Sequence, residues 1–360
     1  MEIVGRLMNI FDFYKGKKIF VTGHTGFKGS WLCKILLMAD ADVTGYSLSP
    51  ETEPNLFDMA EIEGEMTSII GDVRDYESLK KAFDECNPEI VFHLAAQPIV
   101  LKSYEDPKYT YETNIMGTVN LLECIRQSKG VKSFLNVTTD KVYENNGDGF
   151  TFVESDKLDG YDPYSNSKSC SELVTHSYFK SFLRDRKISV STARAGNVIG
   201  GGDFAENRII PDCVRACVNN EKIIIRNPYS IRPFQHVLEP IFVYLMIAAE
   251  QYIDFSKSDS YNVGPDSEDC ITTGKLADIF CKAWGDNIEW INICKKTPYE
   301  AEFLKLDCQK LKDTFNWQPV WNIEKAVEKV VEFTKEYYSG TSVSEIMEKQ
   351  IKEYLGEKNV

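Results

Sequence analysis

Residues 18–41 set a short apolar strand, "KIFVT", directly before "GHTGFKG" and a helix-forming run, "SWLCKILLMADA". This order leaves a chain few options. Gly23, Gly26 and Gly29, three apart, let the backbone turn tightly and approach a bulky anion. The helix behind them offers free N–H groups and the positive end of its dipole. A strand, a glycine turn and a helix in this order open a dinucleotide-binding unit, which needs a second parallel strand beyond the helix. "DVTGYSL" supplies that strand, and "MTSIIGDVRD", "PEIVFHLAA", "VKSFLNVTT" and "ISVSTARAG" follow, separated by "LKKAFDECN" and by helical stretches near 109–128 and 164–185. Strands alternating with helices predict an α/β fold, a Rossmann doubly wound parallel sheet.

At 360 residues the chain exceeds one small core, so two lobes are expected. The spacing predicts a dinucleotide-binding domain over 17–200, with return segments near 236–265 where "YNVGP" reads as another strand. A smaller mixed α/β lobe over 201–336 would hold the substrate, opening on "GGGDFAENRIIPD" and "IIIRNPYSIRPFQHV". Residues 1–16 read as an extension, with the organised fold beginning near Lys17 and Met8 as an alternative start. Residues 337–360 read as a charged amphipathic tail helix with no assigned role.

The net charge of −14 argues against a nucleic-acid partner, which requires a basic surface. No run reaches the roughly 20 apolar residues of a membrane span, and the first residues lack a signal-peptide pattern. Ten cysteines without a CxxC pair fit the reduced thiols of a cytoplasmic protein. The four histidines, His24, His93, His176 and His236, are far apart, so no metal site is expected.

An acid about 20 residues past the glycines usually holds the ribose hydroxyl of NAD, and here Ser47 stands in that place. No Lys or Arg occurs between Lys34 and Arg74, whereas Glu51 and Glu53 do. A 2′-phosphate would meet acids there, which favours NAD over NADP; Lys28 is the one cation opposing this. Asp72 follows the third strand and either accepts from the adenine amine or caps the next turn.

Two further clusters carry chemistry. In "YDPYSNSKSCSEL", Tyr164 and Lys168 are four apart and share one helix face. An ammonium beside a phenol favours the phenolate and makes the tyrosine a base. In "NVTTDKVYENN" a strand ends in Thr138, Thr139, Asp140 and Lys141, an acid beside an amine. Each should push the other toward charge, or the two titrate as one unit. A plain ion pair is the simpler alternative.

These residues, with "VTGHTGFKGSW", "HLAAQPIV", "YDPYSNSK", "RAGNVIGGGD", "IIRNPYSIRPFQHVLEP" and "LKLDC", resemble the extended short-chain dehydrogenase/reductase family from about Lys17 to about residue 335. Within it they are most similar to the dehydratases that act on CDP-glucose. The resemblance implies bound NAD, held by Gly23, His24, Thr25, Gly26, Phe27, Lys28 and Gly29. Asp72 and Val73, Leu94 to Gln97 (with Ala95 and Ala96 between them), Asn114, Thr138, Tyr164 and Lys168 would complete that site.

It also implies oxidation at sugar C4, loss of water from C5 and C6, and hydride return to C6. Tyr164 would act as base, with Lys168 beside it and Thr139 orienting the C4 oxygen. Asp140 would protonate the leaving hydroxyl, and Lys141 would stand where relatives carry a carboxylate base. For the nucleotide sugar it points to Asn197 and Arg232 at the pyrophosphate, then Arg208, Arg226, His236 (or a buried structural His) and Tyr299 beside Glu300, with Arg194 flanking. A 4-epimerase, a dehydratase of another nucleotide sugar, and a non-catalytic NAD-binding regulator remain alternatives. A homodimer through a four-helix bundle of the 109–128 and 164–185 helices is expected.

Overall fold

In the computed structural model the described residues are 10–147, 149–285, 288–293 and 303–356. Tyr299 and Glu300 lie outside them. Seven parallel strands form the central sheet: β1 (Lys18–Thr22), β2 (Asp42–Ser47), β3 (Thr67–Ile70), β4 (Ile90–His93), β5 (Ser133–Val137), β6 (Ser189–Ala195) and β7 (Ser260–Val263), in the order β7-β6-β5-β4-β1-β2-β3. Helices cover both faces, which is why β5 and β6 are buried at every residue instead of alternating. The chain winds one way from β1 to β3, then crosses back to β4. That reversal opens a crevice at the carboxyl ends of β1 and β4.

The helices that shape the site are α1 (Phe27–Met38), α2 (Tyr76–Cys86), α3 (Gly117–Gln127), α4 (Pro163–Tyr178), α5 (Ile209–Val218), α6 (Leu238–Ile253), α7 (Thr273–Trp284), α8 (Ile323–Tyr338) and α9 (Val343–Tyr354). The helix expected over 164–185 begins on Asp162, whose carboxylate accepts from the Ser165 N–H at 2.9 Å. It widens into a π-type turn at Phe179–Leu183. Helices α5, α7 and α8 enclose a separate apolar cluster around Ile210, Cys213, Phe280 and Val327.

Both chain ends differ from expectation. Ile10 and Tyr14 belong to the main core, and the Tyr14 hydroxyl donates to the Leu245 carbonyl at 2.7 Å. The organised chain therefore starts before Lys17. The tail helix, given no role from the sequence, packs into that core as α9. Ile346, Met347 and Ile351 of α9 are buried in that core, and the Tyr354 hydroxyl donates to Glu239 Oε2 at 2.8 Å. Glu239 also accepts the Trp321 N–H at 2.7 Å, so one buried carboxyl ties the tail to α6. The charges counted in the sequence sit on the outer face of α9. Its inner stripe is apolar, and only the partner surface shows that the stripe is used.

Three buried histidines predict how stability follows pH. Burial lowers His24 to about 4, and His93 and His236 to about 3. Their folded values lie below the ordinary 6.5, so their contribution is present above that pH and is lost as the pH falls toward the folded values. At pH 5 each costs about 2 kcal/mol. Glu239 runs the opposite way: burial pushes it up to about 7. It returns about 2 kcal/mol over the same interval. From these four groups the unfolding free energy is expected to be about 4 kcal/mol smaller at pH 5 than at pH 7, measured by urea titration. Equal midpoints at the two pH values would mean the imidazoles gain protons within the fold.

Candidate active site

The phosphate loop lies between β1 and α1, at the sheet crevice. Gly23 has φ +79°, and a Cβ there would lie 2.6 Å from the Ala95 amide nitrogen. At Gly29 a Cβ would run into the Gly23 carbonyl oxygen. Gly26 caps α1 with no side-chain hydrogen bond and no acid follows in the first turn, so the helix N–H groups face the cleft without a competing anion. This cradle fits a dinucleotide pyrophosphate.

A cleft of about 580 Å³ runs from this loop to the smaller lobe. It is lined by Gly23, Thr25 to Gly29, Asp72, Val73 and Leu94 to Ala96, and on the catalytic side by Thr138 to Lys141, Tyr164 and Lys168. Asn197, Arg208, Arg226 and Arg232 close its other wall. Residues from loops, strand ends and two helices, far apart in sequence, thus meet in one space.

Four expected site residues, His24, Gln97, Asn114 and His236, are not in the lining of the cleft. His24 turns into the layer under β2: its Nε2 pairs with Ser68 Oγ at 2.9 Å and its ring fills the space left by Gly45. Gln97 donates to Thr110 Oγ1 at 2.9 Å and its N–H donates to Asn114 Oδ1 at 2.8 Å, so it braces the helical stretch over 107–116, ahead of α3, rather than the cleft. Asn114 in turn donates to Ser167 Oγ of α4 at 2.8 Å, one step from the reacting groups. His236, expected at the nucleotide, is fully buried between Trp31 and Trp321 and accepts the Leu238 N–H. The structural alternative holds for it. Arg194 also leaves the cleft, pairing with Glu172 at 2.9 Å inside the core.

At the adenosine end, Ser47 Oγ pairs with Thr25 Oγ1 at 3.0 Å. The count of cations along the sequence missed Lys102, which the fold brings to 3.7 Å from Glu51. Asp72 faces the cleft but is held by Arg74 through Nε at 2.9 Å and Nη2 at 2.6 Å. Burial pushes its carboxyl up, but the Arg74 hydrogen bonds outweigh that and keep it below the usual range. Lys28 belongs to the catalytic end. Burial lowers it to about 8, and its charged neighbours are Arg208, Asp140 and Lys168.

At the end of β5, Thr139 Oγ1 donates to Asp140 Oδ1 at 3.0 Å and accepts the Lys141 N–H at 3.4 Å. Asp140 is 1% exposed. Burial raises its pKa, and this outweighs the opposing pull of Lys141, the Thr139 hydroxyl, Arg232 and Lys28. Burial and the neighbouring cations thus act on Asp140 in opposite directions, and burial is the larger. Burial also pushes Tyr164 up to about 12, with the Thr139 hydroxyl pulling it down. Burial lowers Lys168 to about 8, and its Nζ donates to the Val137 carbonyl at 3.2 Å. Lys168 is thus a buried amine anchored on β5. Gly196 was missed by the sequence reading; a Cβ there would lie 3.1 Å from Asp140 Oδ2.

A phosphate loop, a Tyr and Lys one turn apart and an acid at the end of β5 define the nucleotide-sugar dehydratase and epimerase group of the extended short-chain dehydrogenase/reductase fold. The family model described as GDP-mannose 4,6 dehydratase matches residues 20–330, and the chain belongs to this family. It is 44% identical over 350 residues to a CDP-glucose 4,6-dehydratase of Salmonella typhimurium, covering 96% of this chain and 98% of the relative. A dTDP-D-glucose 4,6-dehydratase of Dictyostelium discoideum is 30% identical over 70% of this chain and 59% of its own length. Among solved structures, the NAD complex of dTDP-glucose 4,6-dehydratase from Bacillus anthracis matches with TM-score 0.74 at 22% identity, over 91% of this chain and 99% of that one. It shares the fold.

Proposed function

We propose that this chain binds NAD and converts CDP-glucose to CDP-4-keto-6-deoxyglucose. The observation that carries the reading is the 44% identity to a CDP-glucose 4,6-dehydratase, end to end in both chains. The cleft is consistent with it, because it joins a phosphate cradle to an acid, a phenol and two lysines.

NAD, held by the glycine loop, Asp72 and Val73 and the Leu94–Ala96 segment, supplies a reversible hydride acceptor. The chain's own groups do the rest. Tyr164 takes the C4 hydroxyl proton while Thr139 orients that oxygen. Lys168, anchored on Val137, holds positive charge beside the developing phenolate. Once C4 is a ketone, the C5 proton is acidic and passes to Lys141. Asp140 protonates the C6 hydroxyl as it leaves as water. Asn197, Arg208, Arg226 and Arg232 offer forked and amide donors to the diphosphate. An epimerase has no leaving hydroxyl and no use for a buried acid at Asp140.

The test is mass spectrometry of CDP-glucose incubated with the protein and NAD, with the other nucleoside diphosphate glucoses in parallel. Loss of one water from CDP-glucose is expected. Loss from a different sugar nucleotide would change the substrate, and no loss from any would overturn the reaction.

The quaternary proposal is a homodimer through the helical stretches over 109–128 and 164–185, where Met116, Leu173 and Phe182 are 49%, 55% and 47% exposed. Sedimentation at micromolar concentration should give twice the chain mass; a single-chain mass would refute it. Among the described residues no helix is long and apolar enough to cross a membrane, and a cytoplasmic location is proposed.

A further inference from the structure

Thr22, His93 and Asn136 stand side by side on β1, β4 and β5, in register across three parallel strands. In-register side chains share one face of the sheet. None of the three is more than 1% exposed. Thr118 of α3 and Ser171 of α4 meet them there and are just as deeply buried. Polar groups in such a layer cost free energy unless each donor finds an acceptor. The distances show where each proton goes.

A carbonyl only accepts and an amide N–H only donates, and a hydroxyl has one proton to give. The Thr118 hydroxyl donates to the Asn114 carbonyl at 2.7 Å and uses its proton there. His93 Nε2, 3.0 Å from the same oxygen, must therefore carry a hydrogen and donate to it. Ser171 Oγ, also at 3.0 Å, must donate to Thr118 as well, and it accepts from Asn136 Nδ2 at 3.0 Å. On the other side of the ring, Thr22 Oγ1 accepts the Ala95 N–H at 3.3 Å and lies 2.7 Å from His93 Nδ1. With Nδ1 bare, the Thr22 proton has its acceptor. The Thr118 side thus requires the neutral Nε2–H imidazole, and the Thr22 side is satisfied by it. An imidazolium would set a second N–H against the Thr22 oxygen, in place of the lone pair that its proton uses. Burial, and after it the Lys168 charge, push the ring down to about 3, in the same sense.

Both ends of this chain of bonds reach the cleft. Ala95 lines it, and the Ala95 amide nitrogen lies 2.6 Å from where a Cβ of Gly23 would be, so this residue backs the phosphate loop. From Thr118 the path runs to Asn114, whose Nδ2 donates to Ser167 Oγ at 2.8 Å. Ser167 in turn donates to the Tyr164 carbonyl at 2.7 Å. We infer that His93, as the neutral Nε2–H tautomer, is a positioning residue that holds the cofactor wall at Ala95 and the catalytic helix α4 at a fixed spacing. It acts through Thr22 on one side and Thr118 on the other. Hydride transfer depends on that spacing, since a misplacement of about 1 Å can cost about 10²-fold in rate. A ring with one donor and one acceptor, each directed at a different element, sets it. The use made of the spacing rests on the dehydratase reading; the tautomer does not.

The experiment is nitrogen-15 NMR of the full-length chain labelled at histidine, with the His93 signals identified by their loss in His93→Gln. Wild-type protein should show a protonated Nε2 and a bare Nδ1. Saturation with NAD should move the Nδ1 signal, because the cofactor wall is one hydroxyl away. A protonated Nδ1, or no response to NAD, would overturn the inference. Thr118→Val keeps the shape and removes the acceptor of the Nε2–H. The proton should then shift toward Nδ1, where the Thr22 oxygen can accept it. With CDP-glucose and NAD, kcat should fall about tenfold, the worth of one hydrogen bond, while KM for CDP-glucose stays. Thr118→Ser keeps the hydroxyl and should restore both the tautomer and the rate. Full turnover in Thr118→Val would overturn the inference, as would an unmoved proton. Should Thr118→Val not accumulate as folded protein, the wild-type tautomer and its response to NAD decide. Wild-type protein that dehydrates no sugar nucleotide would sink the proposed reaction but leave the NMR readings decisive for His93.

Discussion

Asp140→Asn is expected to reduce dehydration of CDP-glucose by about 10²–10⁴-fold, the usual worth of a positioned acid. Asn keeps the shape and still accepts from the Thr139 hydroxyl at the Oδ1 position. It has no proton to give a departing hydroxyl. C4 oxidation depends on Tyr164, Thr139 and Lys168 instead, so reduced nicotinamide should build up at 340 nm (the wavelength of its absorbance band) rather than vanish. The fold should survive, because the change removes a carboxyl that burial already disfavours in its charged form. A loss below tenfold, with no accumulation of the oxidised intermediate, would show that another group protonates C6 and would return Asp140 and Lys141 to a simple ion pair.

Arg194→Met should unfold rather than inactivate. Arg194 and Glu172 are 4% and 2% exposed at their side chains and meet at 2.9 Å. Arg194 also donates to the Tyr143 hydroxyl at 2.8 Å and the Glu154 carbonyl at 2.9 Å. Burial works against the guanidinium charge, but the Glu172 carboxylate and Tyr143 more than offset it. Removing one partner strands the Glu172 carboxylate among the Thr138 and Thr192 hydroxyls. Breaking such a pair costs about 3–5 kcal/mol, a large part of the roughly 5–15 kcal/mol that holds a domain. The melting temperature should drop by roughly 10 °C. Arg194→Met with Glu172→Gln should recover part of it, since no charge is then left alone. A substrate-binding arginine would behave differently: KM would rise and the melting temperature would stay.

These two residues illustrate how far the sequence could be read. Asp140 was legible because it belongs to a local pattern, a strand end followed by an acid and an amine. The glycine loop, and Tyr164 with Lys168, were legible for the same reason: their geometry is set within one turn of chain. Arg194 was misplaced among cleft residues because it flanks a motif whose next members, Asn197 and Arg208, do line the cleft. Strand alternation turns its side chain to the core, and the partner that explains it, Glu172, lies on α4, 22 residues away. His24 failed likewise: its loop carries the site, while its ring serves the packing beneath β2.

By itself the sequence determined the parallel sheet and the position of the phosphate loop, because periodicity and turn chemistry act over a few residues. Tertiary structure decided which charges are real at the site. Lys102 reaches Glu51 only through the fold, and Lys28 turns to the catalytic end. Burial raises the Asp140 carboxyl against the pull of its neighbouring cations. Helix α9 joins the core from the far end of the described residues. Burial and long-range contact set protonation, and neither is a property of neighbours in sequence.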